Sequence, residues 1–391
     1  MNDLKEHFTR QQICILIGVI SMFLPFYICA SIIVFLTIYL IIKGDIQNAY
    51  KKTSKSQFII YFCILISIVS FVYKNYIGLL CSICLLFFLL FILFYRIHTT
   101  KELFELIVDI VIIMSLFAAI YGIIEYIRIL NAHDIHTFKI IIYNRPQDRI
   151  NSMYFNANYY AMMIEFFVCL AFYKILKLKN GLKEYKKFIF YVSTIIINLL
   201  MLVLTACRTA WPALAISIMI MLIVDKRYKI CGFILACVLF VCIYFLFNPS
   251  KFPRVNNIIA YFLTRQNIWK TAIANIKTHP LFGEGPMTYM HIYKQYHGHK
   301  TQHAHSVYLD PLLSFGIIGL TVIAPYVISN ITKIYYLIKR KLNPTLSALI
   351  IACIVVVLIH GTMDYTIFFV QTGLLFLIIV SSFDIYKESL Q

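Results

Sequence analysis

Apolar runs of membrane-spanning length recur from one end of this sequence to the other, and no other feature limits its fold so tightly. The hydrocarbon core of a bilayer is roughly 30 Å thick, and a helix needs about 20 apolar residues to cross it. Of the 391 residues, 61% are hydrophobic and only 13% are charged, well short of the charge a soluble domain carries. The chain therefore reads as an all-α, polytopic membrane protein with a single integral membrane domain over 1–391. A cleavable export signal would show a short apolar core and a small-residue cleavage site, and neither is seen, so the first helix is expected to stay in the mature protein.

The formal net charge of +18 is placed in a way that argues against nucleic acid. Lys and Arg gather in short loops at alternate helix ends, at Lys43–Lys55, Lys174–Lys187, Lys226–Lys229 and Lys333–Lys341. This is the positive-inside pattern, which orients helices and implies no partner. Apolar runs set against these loops give about twelve spans, near 11–25, 27–43, 57–73, 77–95, 104–128, 157–175, 188–206, 209–224, 230–247, 307–329, 345–360 and 365–383. Pro25 splits a run too long for one span, so 11–43 reads as a tight hairpin. With both termini cytoplasmic, every strongly basic short loop falls inside. The 11 Cys residues lie almost entirely in apolar segments, Cys14, Cys63, Cys169, Cys231 and Cys353 among them. They read as small core residues, as does Cys81-x-x-Cys84 in mid-helix, and no disulfide framework is expected.

Two segments then face outward with real length, Asn131–Asn156 and the extracytoplasmic loop 248–306 between spans nine and ten. Long loops with their own sequence character are where function concentrates, and no internal repeat of the transporter kind is present. Residues 256–278 read as an amphipathic helix ended by His279-Pro280. Ile258, Phe262, Trp269, Ala272 and Ile276 form one stripe, with Asn256, Asn267, Lys270 and Lys277 opposite; Leu263 and Ala274 fall on the polar side. Arg265 lies within the apolar stripe, where a cation must find an anionic partner. A structural salt bridge, a snorkelling side chain and an anion site all meet that need.

Arg208 interrupts an otherwise apolar stretch from Phe188 to Val224 at the outer turn of a helix pair. Thr209 and Pro212 suit a helix start, whose free N–H groups add to the positive potential. No acidic residue is near in sequence, so a phosphate suits Arg208 better than an ion pair does. Arg145 and Arg149 precede Asn156-Ala157-Asn158 at another helix entrance. Helix capping and solvated surface charge explain these four residues as well as a binding role does.

His-Ala-His-Ser at 303–306 leads into the tenth span and its Gly316-x-x-Gly319. A helix begun near Ser306 sets His305 on a face with Leu309, Leu312, Gly316 and Gly319, the small residues marking close packing. His305 is then expected to point into the protein and His303 away from it. An inward imidazole at the membrane's outer edge suits a general base. His297, His299, His303 and His305 are also dense enough to raise metal binding, but they lack accompanying Cys and the ligand spacing of zinc sites, and no metal is expected.

His305-Ser306, nine residues, then Gly316-x-x-Gly319 resembles the signature of the O-antigen ligase and O-antigen polymerase superfamily. Thr205-Ala-Cys207-Arg208-Thr-Ala-Trp211 resembles that family's Ser-Arg-Gly-Ala-Trp turn. Arg265-x-x-Ile-Trp269, followed by Pro280-Leu-Phe-Gly283-x-Gly285, resembles its Arg helix and Pro-Leu-x-Gly-x-Gly segment. Arg149 through Asn156-Ala-Asn158 resembles its Asn-Pro-Asn motif. The departures are Cys207 for Ser, Ala157 for Pro and Ser306 where Asn is commoner.

The resemblance implies a GT-C-type glycosyltransferase of the bacterial cytoplasmic membrane, working without metal or other cofactor. Its partners would be an undecaprenyl-diphosphate-linked glycan, membrane lipid and a glycan acceptor. Transfer to an acceptor sugar hydroxyl would make it a surface polysaccharide polymerase, or else a ligase that attaches finished polymer to a lipid core or wall acceptor. His305 would be the base. Arg208 and Arg265 would hold the pyrophosphate, with Arg145 or Arg149, Asn156, Asn158 and Asp364 in support. A flippase or transporter of the same lipid is the reading from another class, and the sparse intramembrane acids Asp109, Glu125 and Glu165 speak against it.

Overall fold

The computed structural model describes residues 8–137, 139–141, 145–178, 184–248 and 258–390. Among the described residues the regular structure is all helical, with no strand. The first half holds α1 (Arg10–Ser21), α2 (Phe26–Ile42), α3 (Asp45–Lys52), α4 (Gln57–Val72), α5 (Tyr76–His98), α6 (Lys101–Ala132), α7 (Ala157–Lys177) and α8 (Tyr185–Thr205). The second holds α9 (Ala210–Val224), α10 (Tyr228–Phe247), α11 (Ile258–Thr278), α12 (Thr288–Ile292), α13 (Leu309–Lys339), α14 (Pro344–His360), α15 (Val370–Ser381) and α16 (Lys387–Leu390). Thr9, Asn75, Thr100, Asn156 and Asn343 start their helices by accepting a first-turn N–H, which satisfies a group the helix leaves unpaired.

Each of the twelve apolar segments contains a helix. Among the described residues seven helices are long and apolar enough to cross a membrane, or up to eight if the bent pair α2 and α3 counts as one. The apolar helices α1, α4, α9 and α14 are shorter. Several limits differ from the sequence reading, and α1 already ends at Ser21. α6 runs on to Ala132 and α13 to Lys339, while Thr366–Phe368 is a 3-10 turn that delays the last helix to Val370.

α7 is the central helix, buried on nearly all sides from Ala157 to Ala171, as expected of a helix apolar all round. It packs against α6, α8, α9 and α14. α10 has no buried residue and lies at the margin against α9. At the basic end Lys174 reaches Glu105 at 2.9 Å and Asp109 at 2.8 Å. Buried Arg96 meets Asp384 at 2.5 Å and donates to the Tyr326 hydroxyl at 2.8 Å. At the opposite end the turns are tied to one another. Gln371 donates to the carbonyls of Met22 and Leu24, and Asn75 to those of Glu284 and Pro286.

α11 and the segment after it form a second, small core in which Ile268 and Ala272 of α11 meet Tyr289, Ile292, Ala304 and Leu313. The buried stripe of α11 differs from the sequence reading. Ile268, Thr271 and Asn275 are buried, whereas Phe262 is 50% exposed. Asn275 lies inward because its amide donates to the Glu284 carboxylate at 2.7 Å, a partner no periodicity reveals. Asn267, Lys270 and Lys277 are exposed. Asn256 and the Ile258 side chain lie outside the described residues.

Gly316 interrupts α13 with φ 59° and ψ −175°, a region essentially reserved for glycine. A Cβ there would sit 2.4 Å from the Leu281 carbonyl oxygen. The break lets the N–H groups of Ile317 and Ile318 reach the carbonyls of Pro280 and Leu281, while Gly285 N–H donates to Ser314. The Gly316-x-x-Gly319 motif and the Pro280–Gly285 segment are thus one backbone junction. This corrects the expectation of helix-to-helix packing at Gly316: the close approach is to a loop.

Candidate active site

A cavity of about 400 Å³ is lined by Arg149, Asn156, Asn158, Arg208, Arg265, His305 and Asp364, together with Cys207 and Tyr261. The helix entrance of α7, the α8–α9 turn, α11 and the segments before α13 and after α14 each contribute. Seven of the eight residues named from the sequence meet here. Arg145, the eighth, is exposed and is not among the lining residues.

His305 is held at both ring nitrogens. Nδ1 lies 2.6 Å from Asp364 Oδ1, and Nε2 lies 2.8 Å from the Thr301 hydroxyl. A carboxylate at Nδ1 keeps the proton there and leaves Nε2 as the acceptor. Asp364 is itself fixed by the Tyr365 N–H at 2.8 Å and by the Asn158 amide, with Arg265 at 3.8 Å. Burial alone would raise the Asp364 carboxyl, but His305, Arg265 and His303 hold it well below the usual carboxylate range. Burial lowers the His305 imidazole, and although Asp364 opposes that, the ring ends below its ordinary value. The pair is thus a carboxylate and a neutral imidazole near pH 7.

His303 does not point away. It is 6% exposed and more deeply buried than His305. The residues after 303 are not helical: α13 starts only at Leu309, and His305 has φ 48°. Helical phase therefore has no force there. His303 Nδ1 accepts the His305 backbone N–H at 3.3 Å, and Nε2 lies 3.3 Å from the Tyr159 hydroxyl. Burial, with His305 beside it, lowers its imidazole to about 3, so it acts as a neutral support.

His303, His305 and Asp364 can each offer a ligand atom, all within 4.8 Å of one another. Two atoms each ~2 Å from a zinc ion would stand more than ~3 Å apart, whereas His305 and Asp364 meet at 2.6 Å. That distance fits a shared proton, and the adjacent Arg265 cation opposes a metal dication.

The arginines approach the cavity from different elements. Arg149 is oriented by donating to the Thr205 carbonyl and to Asn158 Oδ1, both at 2.6 Å. Asn158 thus joins Arg149 to Asp364, while Asn156 caps α7 by accepting the Asn158 N–H at 2.8 Å. Arg208 lies over the Tyr261 ring at 5.5 Å. Thr209 makes no side-chain cap for α9, so that helix start opens onto the cavity. Thr301, Tyr261 and the supporting His303 escaped the sequence reading. Only Tyr261 left a signal, one helical turn before Arg265.

Three arginines and a carboxylate-held imidazole thus line one cavity of a multi-pass helical membrane protein. Residues 193–324, about a third of the chain, match the family model of the O-antigen ligase. The matched segment contains Arg208, Arg265 and His305; Arg149, Asn158 and Asp364 lie outside it. No curated protein matches the chain in sequence.

Proposed function

We propose that this protein transfers a glycan from an undecaprenyl-diphosphate carrier to an acceptor sugar hydroxyl at the outer face of the bacterial cytoplasmic membrane. The observation that carries the reading is the convergence of Arg149, Arg208 and Arg265 on the cavity that holds the His305–Asp364 pair. Breaking the anomeric C–O bond releases a pyrophosphate whose growing negative charge needs fixed cations. Forked guanidiniums suit its oxygens. The acceptor hydroxyl must lose its proton as it attacks, and His305 Nε2 is the receiving atom. Thr301 Oγ1 marks where that hydroxyl would sit. No step in this scheme uses a metal.

We place the cavity outside through twelve crossings with both termini cytoplasmic, in the manner of GT-C-type transferases. Supporting this, Arg10 near the start pairs with Asp45 at 2.5 Å, and Arg340 in a basic loop donates to the Ser389 carbonyl near the end. Arg10 and Ser389 thus keep company with the basic loops. Polymerase is the preferred activity and ligase the alternative.

His305→Ala is expected to abolish long-chain surface glycan at unchanged protein level in the membrane; retained long chains would remove His305 from the reaction. In a deletion strain, single repeats on the normal acceptor identify a polymerase, and polymer stranded on carrier lipid identifies a ligase. The flippase reading gains nothing from the intramembrane acids. Asp109 pairs with Lys174, Glu165 with His360, and Glu125 accepts the N–H groups of Asn151 and Ser152. Purified protein given lipid-linked donor and acceptor is expected to form a new glycosidic product; translocation without product would favour a flippase.

A further inference from the structure

Cys207 stands where the resembled motif has Ser, and it lines the arginine cavity. Its sulfur lies 3.9 Å from His360 Nε2 and 3.5 Å from the Thr209 hydroxyl. His360 Nδ1 is in turn 2.7 Å from Glu165 Oε2, and both residues are fully buried. A thiol, an imidazole and a carboxylate in series are the arrangement that activates a nucleophile, the third group orienting the second. This unit is separate from His305 and Asp364, and glycan transfer makes no use of it.

We propose that Cys207 is a modification site: a thiol activated by His360 and directed by the surrounding arginines toward anionic thiol-reactive electrophiles. Thiol reactivity follows thiolate character and access. Burial pushes the Cys207 thiol up, but His360, Arg149 and Thr209 together bring it below its ordinary value. Access comes from the cavity, and Arg149, Arg208 and Arg265 concentrate anions there. With an alkyl methanethiosulfonate, the sulfur of Cys207 attacks the reagent's sulfenyl sulfur. The new S–S bond forms as the S–SO2 bond breaks, methanesulfinate leaves with the electron pair, and His360 Nε2 holds the thiol proton. The mixed disulfide then fills the cavity, and a dithiol reverses it.

The test labels the purified full chain with sulfonatoethyl or trimethylammonioethyl methanethiosulfonate and follows each cysteine by peptide mass. Free cysteine and 2-mercaptoethanol in the same buffer are the references, because Cys237 and Cys242 lie on the exposed face of α10, a candidate membrane span. Relative to these, Cys207 is expected to react about tenfold faster with the anionic reagent than with the cationic one. Inorganic pyrophosphate should slow the anionic reaction, and His360→Asn should slow it by about tenfold or more. Preference for the cationic reagent would overturn the proposal, as would a Cys207 that stays unlabelled while the references react. A Cys207 rate unchanged by pyrophosphate or by His360→Asn would overturn it too. Because charge preference is read on the unaltered chain, a misfolded His360 variant does not spare the idea. Loss of glycan transfer on labelling, absent in Cys207→Ser, rests additionally on the function proposed above. Labelling without that loss would count against the transfer reading and leave the modification site standing.

Discussion

Asp364 and His305 meet at 2.6 Å, one just past α14 and the other just ahead of α13. The two segments are also joined by the Val307 N–H donating to the Gly361 carbonyl at 2.8 Å, so the contact is built into the helix junction. Its geometry fixes which nitrogen of His305 is left as the acceptor: Nε2, facing Thr301.

Asp364→Asn keeps the shape of this contact but removes the charge that holds the proton on Nδ1. The Asn amide can donate to Nδ1, which moves the ring proton to Nε2 and takes away the acceptor. Transfer is expected to fall by about a hundredfold or more with the protein still accumulating in the membrane. Rates from purified protein with lipid-linked donor check this, and near-normal turnover would make Asp364 a structural residue only.

The pH dependence follows from the direction of the His305 shift. A base works when neutral, and burial carries its imidazole below the ordinary 6.5 despite Asp364. The acid limb of kcat/KM is therefore expected below pH 6.5, with activity full above it. Because Asp364 raises the His305 value, Asp364→Asn should move the limb to still lower pH while lowering the plateau. An acid limb above 6.5, or one that rises in the variant, would contradict the assignment of His305 as the base.

The helices were legible in the sequence because apolar runs of span length leave the backbone few alternatives. Arg208 and Arg265 were legible for a related reason: a cation in an apolar setting calls for a partner. The orientation of His303 was not, because phase arguments need a regular helix and the chain takes a left-handed turn at His305 before α13 begins. The partner role of Asn158 also escaped, since its contacts with Arg149 and Asp364 span 9 and 206 residues. Gly316 was noticed as a small residue, but its reason, an approach to the Leu281 carbonyl, exists only once the Pro280–Gly285 loop is in place.

Arg265 lies 3.8 Å from Asp364 while lining the cavity, so one guanidinium faces both the carboxylate and the proposed leaving group. Lysine keeps the charge but not the fork. Arg265→Lys is expected to lower kcat by about tenfold or more, with a smaller effect on KM, if the contact strengthens as pyrophosphate leaves. Steady-state kinetics on the purified variant separate the two constants. Unchanged kcat would confine Arg265 to a salt bridge.

Gly316 and Gly319 carry one motif but should not respond alike. At Gly316 the backbone conformation is essentially closed to other residues and a Cβ would strike the Leu281 carbonyl at 2.4 Å. Either the α13 break or the Pro280–Gly285 loop must move; α11, which carries Arg265, ends just before that loop, and His305 lies just ahead of α13. At Gly319 the nearest atom is the Phe315 Cβ at 3.0 Å, on the same helix, and φ is not in the left-handed range. Gly316→Ala is therefore expected to cost about 1–3 kcal/mol and to lower the thermal midpoint in detergent, with transfer lost alongside. Gly319→Ala should show a smaller shift and keep measurable transfer. Equal midpoints for the two variants would show that the loop yields at little cost, and the junction would then lose its claim to hold the cavity in shape.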